Sequence, residues 1–366
     1  MVFDILGALE RKIERAVGRG DPEPRYDVFY IKDKNLLAGS AKRRKISAPN
    51  KTMLTLGRNF YGLLRLRLAH EEIKFPFAAA VFPGNNPLKN VLRHARKRNR
   101  YFYLLDIKDF YPNTNVEQVV RILREVVPSF AEENKLREFL LKYCFYSEDG
   151  SLRIGGAASP DLANLVLVRL VDEEMGKLCL KYGMTYSRYL DDLIFSSKRR
   201  LGKQKREAIR RVIEKSGFKI NHRKIVIADT KKTPITITGI GIAEGGRLFV
   251  RRGFLKRING LIHLIEKGGC LQIQLCFRFV PKKHREPDPV ILVKGLMSAF
   301  WSTIPVNGRW LNQLEIKTIE NFLVFSSKYR GRKKGITKVE KSMKKLLNEI
   351  VFIRQGLEAT GQGTAS

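Results

Sequence analysis

Two acidic positions stand out in a chain dominated by positive charge. Asp106 lies near the end of the aromatic and aliphatic run Tyr-Phe-Tyr-Leu-Leu-Asp-Ile at 101–107, and Asp191-Asp192 sits between Tyr189-Leu190 and Leu193-Ile194-Phe195. Carboxylates gathered at strand ends repel one another unless cations lie between them. Mg2+ suits such a place, because it binds through a few carboxylate oxygens and completes its shell with substrate phosphates and water. Two such ions, about 3.5–4 Å apart, activate an attacking oxygen and stabilise a departing one. The acids alone indicate phosphoryl transfer and no more, since an isolated Asp-Asp pair also makes an ordinary turn.

Local patterns supply the elements that must hold these acids. The run 101–107 has no helical period and reads as a buried strand, and 184–197 reads as two strands with a turn at Asp191-Asp192. Apolar residues at helical spacing predict helices over Ile5 to Val17, 52–70, 115–127, 130–144 and 160–182, with a basic helix over 203–216. A Pro- and Gly-containing turn follows the first helix, 40–50 forms a basic extended segment, and Gly155-Gly156 marks a turn. Strand-like runs at 218–227 and 234–242 complete an α+β unit. Beyond 250 the pattern is helical: Phe254, Ile258, Leu261, Ile262 and Ile265 share a face, and further helices are expected at 288–303, 311–327 and 337–354.

Composition narrows the partner. Among 366 residues, 70 Lys and Arg face 36 Asp and Glu, a formal charge of +34, while 43% of residues are hydrophobic. The chain can therefore build cores and still carry a surplus that fits a polyanion, RNA or DNA first. The longest apolar stretch, Leu162 to Leu170, is broken by Arg169, so no membrane span is expected. Cys144, Cys179, Cys270 and Cys276 form no CxxC pair, which disfavours zinc and disulfide frameworks. The first residues lack a secretory leader's layout, and a cytoplasmic location is expected.

Taken in order, the motifs resemble those of reverse transcriptases, and of the bacterial retron type in particular. Asp106-Ile107-Lys108-Asp109-Phe110-Tyr111-Pro112 resembles the first catalytic motif, and Tyr189-Leu190-Asp191-Asp192 the Tyr-x-Asp-Asp hallmark. Gly155-Gly156-Ala157-Ala158-Ser159-Pro160, followed by Ala163-Asn164, is similar to the turn that positions template and nucleotide. Gly217-Phe218-Lys219-Ile220-Asn221 with Lys224 resembles the next palm motif, and Arg44-Lys45-Ile46-Ser47-Ala48-Pro49 the first fingers motif. Asn90-Val91-Leu92-Arg93-His94 and Ile237-Thr238-Gly239 resemble two retron elements, with Val91 in place of Ala and Ile237 in place of Val. Arg153, Ile154 and Leu190 stand where many members carry Pro, Gln and Ala. The resemblance spans roughly 40–245 and weakens near Gly295.

The resemblance implies a right-hand polymerase: fingers and N-terminal segment over 1–100, an antiparallel-sheet palm over 101–245 with fingers helices inserted between 113 and 150, a helical thumb over 246–355, and a disordered tail at 356–366. It implies Asp106, Asp191 and Asp192 as the catalytic acids, holding two Mg2+ ions (Mn2+ as a substitute) with the Ile107 carbonyl. Tyr111 would exclude a ribose 2′-hydroxyl, with a core aromatic as the alternative. Arg44, Lys45, Gly155 and Lys224 would meet the incoming dNTP, although charged surface residues explain the three cations singly. Asn90, His94, Thr238, Gly239, Lys256 and Arg257 would contact RNA or DNA, His94 having a structural role as its alternative; His284 falls in an expected RNA-facing loop, with a plain solvated loop as the alternative. The implied activity is copying part of a bound structured noncoding RNA into single-stranded DNA, primed from a guanosine 2′-hydroxyl, with an effector protein in anti-phage defence. Abortive-infection or group II intron enzymes are the alternatives, and a non-catalytic RNA-binding scaffold is a third.

Overall fold

A computed structural model describes residues 4–32, 43–80, 85–130, 132–267, 289–301, 313–328 and 340–348. His284, Cys270, Cys276 and the expected tail lie outside them. Strand β3 (Tyr101–Asp106) pairs antiparallel with β5 (Asp192–Ser197) on one side and β6 (Val226–Asp229) on the other. Strand β4 (Thr185–Tyr189) completes the sheet on the far side of β5, giving the order β4-β5-β3-β6. The β3–β5 register runs from Tyr101 opposite Ser197 to Asp106 opposite Asp192. Aromatic side chains fill the β3, β4 and β5 strands: Phe102, Tyr103 and Phe195 are fully buried, and Tyr186 stacks on Phe195 with ring centres 4.9 Å apart.

Helices pack around the sheet. They are α1 (Ile5–Val17), α2 (Lys51–His70), α3 (Pro87–Ala95), α4 (Val116–Val126), α5 (Glu133–Tyr143), α6 (Ser159–Leu167), α7 (Glu173–Tyr182) and α8 (Lys203–Lys215). All of them but α3 contribute to one core. Their starts follow local chemistry. Asp4, Asn50, Asn86 and Asn115 each accept a backbone N–H of the first turn, and Gln118 answers Asn115 to close a capping box.

Three elements differ from expectation. Residues 26–32 form a strand, β1 (Tyr26–Lys32), which pairs along its whole length with β2 (Arg43–Pro49). The expected helix at 160–182 is interrupted by a π turn, Val168–Asp172, between α6 and α7. Only the end of the 218–227 run enters the sheet. Gly217 turns at φ +82°, the backbone of Lys219 accepts from Lys108, and Asn221 N–H donates to Asp106 O, so 219–221 is sewn across the end of β3.

That π turn delivers Asp172 to a buried arginine. The Arg188 side chain is wholly buried, and its Nε and Nη2 reach the Asp172 carboxylate at 2.8–3.0 Å. Arg188 also donates to the side chain and backbone oxygens of Asn164, and the Tyr186 hydroxyl donates to Asp172 at 2.8 Å. The strand bearing Arg188 is thereby tied to the α6–α7 helical stretch just before the Asp191 turn.

The chain divides into two compact units, one running to Thr238 with Ile242–Gly246, the other made of Gly239–Gly241 and the chain from Arg247 onward. In the second, α9 (Arg252–Glu266), α10 (Pro289–Trp301), α11 (Gln313–Lys328) and the helical residues 340–348 share a separate core around Ile258, Ile262, Met297, Phe300 and Phe322. Among the described residues no helix is long and apolar enough to cross a membrane.

Candidate active site

The β4–β5 hairpin turns on Leu190-Asp191, with Leu190 in the left-handed region at φ +54°. A branched residue there costs on the order of 1–2 kcal/mol, a strain held by the paired strands on either side. Ile107 N–H donates to Asp191 O at 3.1 Å, and the Ile107–Ile220 bridge closes the other flank. The three acids therefore share one end of the sheet. Asp106 is buried, Asp191 half-buried and Asp192 exposed at the strand start.

Their electrostatics reflect that crowding. Desolvation first, and then the charge of Asp106, raises the Asp191 carboxyl above its usual range. Partial desolvation, with Asp191 and Asp106 adding to it, pushes Asp192 up to about 6. Two side chains answer Asp106: Lys224 Nζ lies 2.7 Å from Oδ1, and Asn221 Nδ2 donates to Oδ2 at 3.0 Å. Desolvation pulls the Lys224 ammonium down, but Asp106, Asp192 and Asp191 together carry it net upward. The lysine thus stands at the carboxylates as a cation.

Among the described residues no three His, Cys, Asp or Glu side chains form a ready metal cage. The donor set still fits Mg2+. Burial and neighbouring carboxylates raise Asp191 and Asp192, so added positive charge would favour their ionised forms, and this ion is ordinarily held by one or two carboxylates plus substrate phosphates, without an all-protein shell.

Asp106, Asp191, Asn221 and Lys224 open onto a cleft of about 820 Å³, also lined by Arg44, Lys45, Tyr111 and Ile154. Lys45 is held with Nζ 3.9 Å from the centre of the Tyr146 ring, whose hydroxyl is 2.8 Å from Ser47 Oγ. Tyr111 is half-buried and packs edge-on against Phe110, with ring centres 5.7 Å apart. Burial, and then Asp191, Asp161 and Tyr189, keeps its phenol neutral by raising its pKa. Gly155 adopts φ +105°, and a Cβ there would lie 2.4 Å from Ser47 O, so only glycine lets this turn lie against β2.

Sequence reasoning gave no role to Asn221, Arg43 or Tyr146, all of which line the cleft. Asn221 lay inside a quoted motif, but nothing local marks it as a partner of a residue 115 positions away.

Other expected contacts fall elsewhere. Thr238 and Gly239 make a left-handed turn at φ +47° and +87°, with Thr238 Oγ1 donating to Pro87 O at 3.4 Å. Lys256 and Arg257 belong to the second unit and are exposed on α9. The side chains of Asn90 and His94 are both buried. The His94 nitrogens lie 2.6 Å from Ser196 Oγ and Ser187 Oγ, so the ring braces β4 and β5 and offers no free edge. Desolvation, helped by Arg93 and Lys97, pushes its pKa down to about 3.

A pH dependence follows from that shift. His94 is neutral in the folded chain, so its contribution is complete above about pH 6.5 and lost as pH falls toward 3, at up to about 1.4 kcal/mol per pH unit. The Tm of the parent protein is expected to fall more steeply from pH 7 to pH 5 than that of His94→Gln. Parallel slopes in the two melting series would refute this account.

The family model described as reverse transcriptase (RNA-dependent DNA polymerase) matches residues 40–242, more than half of the chain. The chain belongs to the reverse transcriptase family. A retron Ec73 reverse transcriptase of Escherichia coli is 31% identical over 201 residues, covering 52% of this chain and 63% of that relative. A retron Ec83 reverse transcriptase, also of Escherichia coli, is 26% identical over 257 residues, covering 68% and 78%. A solved telomerase from Candida albicans, with a TWJ fragment of telomeric RNA, matches at TM-score 0.47 and 10% identity, over 92% of this chain and 70% of that one.

Proposed function

We propose that this reverse transcriptase acts as a retron enzyme, copying part of a bound structured noncoding RNA into single-stranded DNA. The observation that carries the polymerase chemistry is the convergence of Asp106 and Asp191 on a cleft that also receives Arg44, Lys45 and Lys224, with Asp192 directly opposite Asp106 on the neighbouring strand. Similarity to the two Escherichia coli retron enzymes supports the retron assignment. In this reading the four-stranded sheet is the palm, the helices around it contribute the fingers, and the second unit is the thumb.

Asp106, Asp191 and Asp192, with the Ile107 carbonyl, would hold Mg2+. Bound there, the ions supply Lewis-acid activation of the primer hydroxyl and neutralise charge on the departing pyrophosphate. Arg44 and Lys45 grip the triphosphate electrostatically. Lys224 exchanges its Asp106 partner for phosphate and can pass a proton to the pyrophosphate oxygen. Gly155 keeps the template-positioning turn against β2, while Lys256 and Arg257 track the template–primer backbone. The product would be a branched RNA–DNA molecule primed from a 2′-hydroxyl, and an effector protein would act with it in anti-phage defence.

Tyr111 is the sugar gate in this reading, because an aromatic ring packed beside the carboxylates collides with a ribose 2′-hydroxyl. Tyr111→Ala should raise ribonucleotide incorporation relative to deoxynucleotide by at least roughly 10-fold. Primer extension with rNTPs against dNTPs measures the ratio, and an unchanged ratio removes the gate. The retron assignment is tested by purifying the protein from its native locus and sequencing the bound nucleic acid. A branched RNA–DNA species is expected; RNA with no linked DNA, from active protein, would overturn it.

A further inference from the structure

The sheet that carries the carboxylates at one end gathers positive charge at the other. Because β3 is antiparallel to both neighbours, Tyr101 stands opposite Ser197 and Asp229. Three segments meet at that end: Arg96-Lys97-Arg98 before β3, Lys198-Arg199-Arg200 after β5, and Lys231-Lys232 after β6. Backbone bonds clamp them together, from Arg100 N–H to Ser197 O at 3.1 Å and from Thr230 N–H to Arg100 O at 3.0 Å. Asn99, buried between them, donates to Thr185 Oγ1 and Ser196 Oγ at 2.9 and 2.7 Å. The tips are therefore fixed by the fold.

All eight cations are exposed, and among the described residues none is in an ion pair. The acid nearest to them in sequence, Asp229 at the end of β6, is held by Arg100, which binds both its oxygens at 2.7 Å. None of the eight lines the catalytic cleft. The length of β3 separates the two ends by roughly 17 Å, so a phosphate at the carboxylates cannot also reach them. Eight cations outnumber the acids beside them, Asp229 and Glu244, and such an excess of like charge is repulsive until a polyanion covers it.

We infer that this end of the sheet is a second nucleic-acid surface, which grips the phosphate backbone of a duplex arm of the folded RNA while another part of that RNA enters the cleft. The inference rests on the proposed RNA-copying function. A duplex fits better than a single strand, because the three basic runs carry no aromatic residue on which unpaired bases could stack. Double-stranded RNA, by contrast, is held through shape and phosphate contacts. The patch spans three adjacent strands, about 10 Å across, and so meets several phosphates at once.

The test uses the full chain carrying Arg96→Gln, Arg98→Gln, Arg199→Gln and Arg200→Gln. Affinity for a stem-loop RNA is measured across salt concentrations, alongside extension of a short primer–template that fills only the cleft. Loss of four contacts should flatten the slope of log affinity against log salt by roughly 3.6 and weaken binding at least about 10-fold near 0.15 M salt, with short-template extension unchanged. Unchanged slope and affinity would overturn the surface. So would loss of a co-purifying protein with RNA binding intact, which would make it a protein-docking site. Failure of the parent protein to extend any primer would count against the polymerase reading alone, since the binding arm is read separately. If the fourfold variant misfolds, a photo-crosslinking residue at Arg199 decides: crosslinks to RNA support the surface, and their absence removes it.

Discussion

Asp191→Asn is expected to reduce primer extension by at least about 10²–10³-fold while RNA affinity stays within about twofold. The size follows from removing one preorganised charge where charge must be stabilised in the transition state. Asn keeps the shape of the turn, and the Asp191 backbone carbonyl still accepts from Ile107, so the hairpin should persist. The same substitution should raise Tm in metal-free buffer at pH 7. Burial and Asp106 lift the Asp191 carboxyl above its usual range, so its ionised form opposes folding as pH rises through that raised pKa. Activity lost together with stability gained would mark a functional strain, as distinct from damage to the fold. A variant that retains a tenth of parental extension would sink the assignment of Asp191.

The second large effect is structural. Arg188→Met should cost about 3–5 kcal/mol, because it leaves the Asp172 carboxylate buried without its countercharge. For a unit of this size that corresponds to a Tm lowered by roughly 6–20 °C. Adding Asp172→Leu should restore much of the loss, since a buried ion pair and an apolar pair of similar volume are close in stability. Recovery will be partial, because the Tyr186 hydroxyl and Asn164 lose partners too. Thermal melts of both single variants and the double variant close the cycle. A single variant melting within about 2 °C of the parent would show that the bridge contributes little.

Much of the helical framework was legible because its signals are local. Helix α1 spans Ile5–Val17 as its apolar spacing predicts, and Asp4 caps it three residues away. The hairpin at the paired acids was legible for the same reason, because two apolar runs flank a two-residue turn. Strand β1 was not, since its partner β2 begins beyond an intervening segment and only the pairing distinguishes 26–32 from a loop. The π turn likewise has no local signature; its product is the Arg188–Asp172 bridge across 16 residues.

For the site, the sequence by itself supplied the chemical groups: three carboxylates, a glycine turn, an aromatic five residues beyond the first acid, and a strong excess of cations. The tertiary structure decided which groups touch. It put Lys224 and Asn221 on Asp106 from 118 and 115 residues away, and it turned His94 inward against two serines. It also brought three separate basic runs to one end of the sheet. Residue type fixes what a side chain can do from its own covalent chemistry. Which partner it meets depends on strand register and burial, and those are set only when distant segments pack.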